Sequence, residues 1–577
     1  MTATLDGPVR GSRSAAQGQG CLASPGTSWA ERLVTPLPPD RVLGWIVALG
    51  IGLLAGFLRF YHLGRLLWMN DPSGQKLPAG TLTGTFKDKD SGCIRYFQNI
   101  FDETYYHHDA LSLLHRGVEQ NCQNTGQGFV VHPPVGKWLI AGGIKVFGDN
   151  PFGWRFAAAL AGTLSVIILT RLARRLFGST LLGAFAGLLL ALDGLEFVMS
   201  RVALLDIFVM FMELVALACL VLDREHGRRR LAVRLPAAGN PYPGPRLGFR
   251  HWRLATAVFL GLSVGVKWSG LYIIPAFAAL AFAWDVGARR TAGIRSPVRA
   301  TIRKDWLGWV PSYTAIPVAA YTASWTGWFL GSDATAWDRH NVTLHGQTVR
   351  RSGVVGSTQN WLAYQCDAYN FHKNLTDNDH YGGGVFVPII NFCKDPSTFH
   401  AAGKLHPYLS KPVGWLFLSR PVDFYFEQPG RGQAGCHTDK CVKQVLAIGT
   451  PAIWWASIAA LLVVLGIWLA RRDWRAALIL VTFTFGFFPW MLNMSRQMFL
   501  FYALPILPVM ILAITMVAGL ILGGPGSSER RRRVGAAAVG GYLLLVIANF
   551  FFLYPILAGD TISYSAWQAR MWFPGWI

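Results

Sequence analysis

Long stretches dominated by apolar residues constrain this chain more than any other feature of its sequence. Residues 43–61, 309–330 and 501–522 are examples, and each is close to the roughly 20 residues that a helix needs to cross about 30 Å of hydrocarbon. Of the 577 residues, 52% are hydrophobic and only 15% are charged, whereas an average soluble domain is roughly 25% charged. The sequence therefore predicts an all-α polytopic membrane protein and excludes a soluble multidomain protein.

One alternating path through the membrane accounts for the basic clusters. The chain has 53 Lys and Arg against 31 Asp and Glu, a net charge of +22, and the basic residues gather between apolar stretches. The positive-inside rule explains this excess without nucleic acid as a partner. With a cytoplasmic N-terminus and an extracytoplasmic C-terminus, about eleven spans put every dense Arg cluster inside. These spans are 43–62, 153–173, 180–199, 202–222, 254–268, 270–286, 308–330, 450–470, 476–493, 499–522 and 535–558.

The path depends on residues 254–286. They form one apolar run that is interrupted by Lys267, and we interpret them as two short helices that turn around residues 268–270. A single long helix there would invert all later spans and would put the later Arg clusters outside.

The same path divides the chain into four parts. Residues 1–42 are rich in Gly, Ser, Ala and Pro, and we expect a disordered cytoplasmic tail without a cleavable signal. Residues 43–330 form an N-terminal transmembrane module that includes a first outer loop, 63–150. Residues 331–449 form a second outer loop, and residues 450–577 form a C-terminal module of four membrane helices.

The cysteines support the placement of the two outer loops independently. These loops hold six of the eight cysteines, an even number, as disulfides in an oxidising compartment require. We expect pairs between near neighbours, although the sequence leaves the connectivity open. The expected pairs are Cys93–Cys122, Cys366–Cys393 and Cys436–Cys441. For the last pair, a zinc site with His437 is the alternative.

Two adjacent carboxylates, Asp102 and Glu103, follow the first predicted span on the outer side. A carboxylate there can take a proton from a hydroxyl, so both are candidate catalytic residues. The alternative is an acidic first turn of a helix over 103–114, stabilised by the helix dipole. We expect the nearby His107 and His108 to be solvated or hydrogen-bonded rather than to bind a metal ion.

Other polar residues recur at the outer ends of the predicted spans. His132 and Lys137 flank a Pro-Pro turn, which can fix a ring and a cation at the membrane surface. The alternative is ordinary helix entry, with Lys137 reaching the interface.

Charges within or beside spans are costly, so they usually face a cavity or a partner. Arg201 and Asp206 are close enough in sequence to pair, and the alternative role of such a pair is to brace a helical hairpin. Arg201, Lys267 and Arg496 are cations at outer span ends. Together they suit a lipid phosphate, whose charge they would neutralise.

These segments resemble, in order, the protein O-mannosyltransferases. The resemblance covers about residues 43–570 and rests on six motifs at residues 101–107, 132–138, 192–194, 201–206, 266–268 and 496–505. It implies a GT-C glycosyltransferase fold and the transfer of mannose from polyprenyl-phosphate mannose to Ser or Thr of secreted or membrane proteins. It further implies an active site on the outer face of the cell membrane, among membrane lipid, with acceptors met at the export translocon. The second outer loop shows no MIR repeats, unlike eukaryotic members, so the chain resembles the actinobacterial branch.

The resemblance also implies a role for each candidate residue. The base would be Asp102, with Glu103 sharing that role or holding the acceptor backbone. The donor phosphate would be bound by Arg201, Lys267 and Arg496, supported by His132, Lys137 and Asp206. Because cations stabilise the departing phosphate, the mechanism needs no metal or other cofactor, although a divalent cation is compatible with it. Two alternatives stay open: a GT-C transferase with another lipid-linked sugar or a lipid acceptor, and a transporter, which the span pattern without inverted repeats disfavours.

Overall fold

The computed structural model is mainly helical. It describes residues 29–34, 38–65, 85–87, 94–96, 99–119, 131–235, 242–330, 342–344, 347–349, 353–375, 406–494, 496–524 and 526–577. The helices are α1 (Trp29–Leu33), α2 (Arg41–Phe60), α3 (Glu103–Arg116), α4 (Val135–Phe147), α5 (Pro151–Phe177), α6 (Thr180–Ala191), α7 (Gly194–Met199), α8 (Asp206–Arg234), α9 (His251–Val266), α10 (Ile273–Thr291), α11 (Pro297–Tyr313), α12 (Ala315–Ser324), α13 (Thr326–Leu330), α14 (Gly353–Asn374), α15 (Pro412–Trp415), α16 (Pro451–Arg471), α17 (Trp474–Phe487), α18 (Leu507–Leu522), α19 (Glu529–Ala558) and α20 (Tyr564–Gln568).

Seven antiparallel strands accompany the helices in the part of the chain that the structure describes. They are β1 (Thr85–Lys87), β2 (Ile94–Tyr96), β3 (Val342–Leu344), β4 (Gln347–Val349), β5 (Val422–Glu427), β6 (Cys441–Ala447) and β7 (Thr561–Ser563). Two hairpins pair β1 with β2 and β3 with β4, whereas the third sheet has the order β5-β6-β7. In that sheet Lys443 lies opposite both Glu427 and Thr561. β7, which follows α19, therefore pairs with β6 at the end of the predicted second outer loop.

Capping side chains set the boundaries of several helices. The side chain of Asn150 accepts a hydrogen bond at the start of α5, where Pro151 is the first residue, as is favourable for proline. Asp193 accepts a hydrogen bond from the backbone N–H of Glu196 and so starts α7. The predicted span 180–199 is therefore broken into two helices, α6 and α7.

Seven helical segments among the described residues are long and apolar enough to cross a membrane, so the protein is a multi-pass membrane protein. They are Arg41–Phe60, Pro151–Phe177, Trp268–Thr291, Pro451–Arg471, Trp474–Leu492, Leu500–Leu522 and Glu529–Ala558. The other four predicted spans coincide with helices that are broken, shorter or more charged, namely α6 with α7, α8, α9 and α11 to α13. The total of about eleven spans stays a prediction.

Ion pairs fix the relative direction of α9 and α10. Arg253, near the start of α9, lies 2.7 Å from Asp285, near the end of α10. Because the start of one helix lies beside the end of the next, the two helices run antiparallel. The chain leaves α9 at Lys267, whose backbone is extended at φ −156° and ψ 139°. The predicted turn between two helices is thus confirmed.

The basic clusters of α5, α8 and α9 share one end of the bundle. Arg175 of α5 pairs with Glu225 near the end of α8, and Arg250, which precedes α9, pairs with Asp223 of α8 at 2.7 Å. The alternating path requires this common end. The opposite end of α8 and α9 carries the residues of the candidate site.

Part of the tail that we expected to be disordered is helical. Arg228 of α8 donates hydrogen bonds to the carbonyls of Leu33 and Arg32 at the end of α1. Leu33 is buried beside Leu231. The expectation of disorder is therefore wrong for α1, because its apolar face packs on the extension of α8. Residues 1–28 lie outside the described residues.

The cysteine predictions are confirmed at one pair. Cys436 and Cys441 form a disulfide with an S–S distance of 2.06 Å, which excludes the alternative zinc site because both sulfurs are used. Cys366 is also disulfide-bonded, and its partner lies outside the described residues, as do Cys93, Cys122 and Cys393.

Candidate active site

Asp102 stands at the start of α3 with a free carboxylate. Phe101, which precedes it, adopts a positive φ of 51°, and its ring stacks on Phe424 of β5 at 4.6 Å. The Asp102 side chain makes no capping hydrogen bond and no side-chain hydrogen bond to any described residue. Asp102 is thus placed at the start of the helix without capping it by a side-chain hydrogen bond, and the alternative of stabilisation by the helix dipole stays open. Desolvation raises the pKa of Asp102 to about 6, although the positive charge of Lys267 opposes the rise.

Glu103, by contrast, is completely engaged. Its carboxylate oxygens lie 2.7 Å from Nε and Nη2 of Arg155. They also accept hydrogen bonds from the backbone N–H groups of Ile100 and Ala203, at 3.0 and 2.9 Å, and the residue is 0% exposed. Glu103 thus joins α3 to α5 and to the turn before α8, and the geometry favours Asp102 alone as the base.

Lys267 and Asp206 form an ion pair where α9 ends and α8 begins. Lys267 Nζ lies 2.9 and 3.0 Å from the two carboxylate oxygens of Asp206. The same ammonium lies 4.0 Å from the ring centre of Tyr502, a cation–π distance. The charge of Lys267 lowers the pKa of Asp102, and the charge of Asp206 raises it. The candidate base and a candidate phosphate-binding cation therefore share one site.

Arg496 also lies near Tyr502, with its guanidinium 5.9 Å from the ring centre. Its Nη2 donates to Nδ1 of His372 at 2.8 Å, and His372 Nε2 donates to the carbonyl of Val131 at 3.0 Å. These two bonds assign the tautomer of His372, with the proton on Nε2. Burial, followed by the charge of Arg496, lowers the pKa of His372 well below its usual value.

His132 lies close to His372, Lys267 and Arg496. Its ring stacks on that of His372, with centroids 5.2 Å apart. Burial and then the positive charge of Lys267 lower the pKa of His132 well below its usual value. The imidazole is consequently neutral at physiological pH and stands beside the cations without adding to their charge.

Lys137 is buried, with 1% of its surface exposed. Its ammonium lies 2.9 Å from Asp109 and 3.2 Å from Glu119. Two carboxylates thus neutralise Lys137, so it ties α3 to α4. It supports the site rather than offering a free cation.

Arg201 is not brought to Lys267 and Arg496. Its Nη1 donates to the carbonyls of Leu58, Arg59 and Tyr61 at 3.0, 2.9 and 2.7 Å. It thereby satisfies the last turn of α2, whose carbonyls have no partner within the helix. The expected pair between Arg201 and Asp206 is wrong, since Asp206 pairs with Lys267 instead. The geometry does not support Arg201 as part of the phosphate site, and that role stays a prediction.

Comparison with known proteins shows which relatives this chain resembles. Residues 131–239 match the family model of dolichyl-phosphate-mannose-protein mannosyltransferase, and residues 394–576 match the C-terminal four-transmembrane region of protein O-mannosyltransferase. The polyprenol-phosphate-mannose–protein mannosyltransferase of Mycobacterium tuberculosis is 38% identical over 545 residues, 93% of each chain. The chain belongs to the protein O-mannosyltransferase family. The protein of the same name from Corynebacterium glutamicum is 33% identical over 83% of this chain and 88% of its own.

A solved structure supports the fold of this protein O-mannosyltransferase. The Saccharomyces cerevisiae protein O-mannosyltransferase Pmt1–Pmt2 complex bound to the sugar donor matches with a TM-score of 0.63 at 14% identity, covering 97% of this chain and 96% of the yeast chain. The predicted GT-C fold is thereby confirmed. The two family models include His132, Asp206 and Arg496, while Asp102 and Lys267 lie outside the matched ranges.

The placement of Glu103 gives a first testable expectation for this family member. Glu103→Gln removes the negative charge from a buried ion pair with Arg155, so we expect a loss of about 3–5 kcal/mol of stability. Thermal unfolding of the purified protein in detergent measures the loss, with Asp102→Asn as the neighbouring control that should not be destabilised. A Glu103→Gln protein that is as stable as wild type but inactive would return Glu103 to the role of base.

Proposed function

We propose that this chain transfers mannose from polyprenyl-phosphate mannose to Ser or Thr hydroxyls of exported proteins. The observation that carries the proposal is the carboxylate of Asp102, which makes no side-chain hydrogen bond to a described residue, beside two cations, Lys267 and Arg496. A base beside two cations that both lie near Tyr502 suits a reaction in which a hydroxyl attacks and a phosphate departs. The names of the relatives in Mycobacterium and Corynebacterium agree with this substrate pair.

The proposed reaction is a single displacement. Asp102 takes the proton of the acceptor hydroxyl as its oxygen bonds to the anomeric carbon, and the bond from that carbon to the phosphate oxygen breaks. The electron pair leaves on the polyprenyl phosphate, where Lys267 and Arg496 stabilise the charge. Attack opposite the leaving group inverts the anomeric centre, so a β-linked donor gives an α-mannoside. Phosphate leaves without a general acid, and the proposal requires no metal ion.

The proposed site faces the extracytoplasmic side of the plasma membrane. The basic clusters of α5 and α8 lie at the opposite end of the bundle from Asp206 and Lys267. Basic clusters favour the cytoplasmic side, and disulfides such as Cys436–Cys441 form in oxidising compartments. Acceptors would therefore reach the site as they leave the export translocon.

A transfer assay tests the proposed function. Purified protein in detergent is incubated with polyprenyl-phosphate [³H]mannose and a synthetic peptide that carries one Thr. We expect label in the peptide, released by alkaline β-elimination. Label that enters only lipid would instead indicate a lipid acceptor, and absence of transfer by folded protein to either acceptor would contradict the proposal.

The pH dependence of transfer tests the base. Because the pKa of Asp102 is raised to about 6, the ionised form that accepts a proton is lost as pH falls through 6. We expect kcat/KM to fall about tenfold per pH unit below 6 and to be level above it. A profile that stays flat down to pH 4.5 would show that the reacting base has an ordinary carboxyl pKa or is another group.

Accessibility of introduced cysteines tests the orientation. Arg431, in the turn between β5 and β6, and Arg533, near the start of α19, have side chains 74% and 78% exposed. In a background in which Cys21 and Cys219 are serine, Arg431→Cys should react with an impermeant maleimide in intact cells and Arg533→Cys should react only after permeabilisation. The opposite pattern would invert the proposed topology.

A further inference from the structure

A narrow pocket beside the candidate site is lined by Gln365, whose amide nitrogen meets no acceptor among the described residues. It lies between α14 and the turn that follows α9, and its lining includes His132, Trp268, Trp325, Tyr364 and Gln365. His132 belongs both to this pocket and to the group around Lys267. The Trp268 ring lies 6.1 Å from that of His372. The pocket therefore adjoins the proposed reaction centre.

A chain of hydrogen bonds orients the amide of Gln365. The indole N–H of Trp268 donates to the hydroxyl oxygen of Tyr321 at 3.1 Å, and the Tyr321 hydroxyl in turn donates to Oε1 of Gln365. Since Oε1 is used as an acceptor, the amide nitrogen of Gln365 points its two N–H donors elsewhere. That nitrogen is buried and meets no acceptor in the described part of the chain.

Trp361 carries a second buried donor on the same helix, although it does not line the pocket itself. It precedes Gln365 by one helical turn on α14, so both side chains lie on one face of the helix. Its indole nitrogen is likewise buried without an acceptor among the described residues. Buried N–H groups are nearly always paired in folded proteins, so two unpaired donors on one helix face indicate that a ligand supplies the acceptors.

The chemistry of the lining identifies the ligand. The donors are neutral amide and indole groups set among aromatic rings, whereas a phosphate favours cations, which lie beyond His132 and His372. Neutral donors among aromatic rings suit an amide carbonyl flanked by apolar side chains, as in the recognition of extended peptides.

We propose that this pocket binds the backbone of the acceptor polypeptide next to the reactive Ser or Thr, with Gln365 donating to one peptide carbonyl. The inference rests on the proposed function. It assigns the acceptor subsite to α14 of the second outer loop, which carries Trp361, Tyr364 and Gln365. Acceptor choice then depends on the segment of backbone beside the hydroxyl, rather than on the hydroxyl alone.

The first test uses a substitution that keeps the accepting oxygen and removes the donors. Gln365→Glu preserves an acceptor for Tyr321 but presents an oxygen to the peptide carbonyl. We expect the KM for the acceptor peptide to rise about tenfold, with kcat and the KM for polyprenyl-phosphate mannose within about twofold of wild type. Gln433→Glu, the same substitution on the exposed turn before Cys436, should change none of these values.

The outcomes separate the inference from the function on which it rests. If wild type transfers no mannose to the peptide, the proposed function fails. If wild type is active and Gln365→Glu leaves the acceptor KM unchanged, or raises only the donor KM, the acceptor subsite alone is wrong.

A second test needs no variant protein. Each peptide carbonyl within two residues of the Thr is replaced in turn by a methylene group, and the acceptor KM of wild type is measured. We expect one replacement to raise KM about tenfold. If none raises it more than about twofold, the proposal is overturned.

Discussion

Asp102→Asn is expected to lower kcat for mannosyl transfer by a factor of about 10²–10⁴, because the amide keeps the shape of the carboxylate and cannot accept the proton. Binding of donor and acceptor should change little, so both KM values should stay near those of wild type. Stability should rise at pH 7, since a carboxylate whose pKa is raised by desolvation destabilises the folded protein when it is ionised. Steady-state kinetics and thermal unfolding on one preparation measure both effects.

A matched control separates loss of the base from loss of any negative charge. Asp439→Asn removes a carboxylate that is 91% exposed in the turn before β6, and it should leave kcat and unfolding temperature unchanged. An Asp102→Asn protein whose activity lies within threefold of wild type would remove Asp102 as the base. An inactive variant that is also destabilised would indicate a structural role instead.

Lys267→Gln is expected to produce the second large effect, a rise of about 10- to 100-fold in the KM for polyprenyl-phosphate mannose, because a charged hydrogen-bond donor to the phosphate is lost. The single substitution also leaves Asp206 as an uncompensated buried carboxylate, which should cost about 3–5 kcal/mol of stability. Donor and acceptor titrations, made on protein shown to be folded, distinguish these two consequences.

The double variant Asp206→Asn with Lys267→Gln isolates the role of Lys267 in binding the donor. It removes both charges of the pair, so most of the stability should return while the donor KM stays high. Lys440→Gln, on the exposed turn before β6, is the control and should change neither. If the double variant regains wild-type use of the donor, Lys267 serves only to pair with Asp206.

The amino-acid sequence was sufficient to predict the positions of residues whose surroundings are formed by segments close to them in the chain. Lys267 interrupts an apolar run, so its position at a turn followed from the cost of charge in the membrane. The disulfide between Cys436 and Cys441 closes a short loop, and near neighbours pair easily. Asp102 was predicted as the base, and that role stays a prediction, with which a carboxylate that makes no hydrogen bond to the described part of the chain agrees.

The residues that sequence reasoning misplaced depend on contacts between distant segments. Arg201 and Lys267 are both isolated cations at span ends, yet Arg201 donates to the end of α2, more than 130 residues earlier. Nothing in the residues around Arg201 signals the unpaired carbonyls there. Glu103 was grouped with Asp102 because it is adjacent, but successive residues of a helix face different directions. His372 was missed because it lies in an outer loop without an apolar pattern or motif.

The length of α9 has a consequence for the surrounding lipid. Its 16 residues, His251–Val266, rise only about 24 Å, and charged layers at Arg253 and Lys267 lie near its two ends. We predicted α9 as a span, and an undisturbed bilayer is about 30 Å thick in its hydrocarbon region, so a span of this length requires the bilayer to thin or water to enter beside the helix. A headgroup attached to a lipid tail in the outer leaflet would then descend to the depth of Lys267 without leaving its own leaflet. As the predicted span, the short helix would bring the membrane surface to the candidate site.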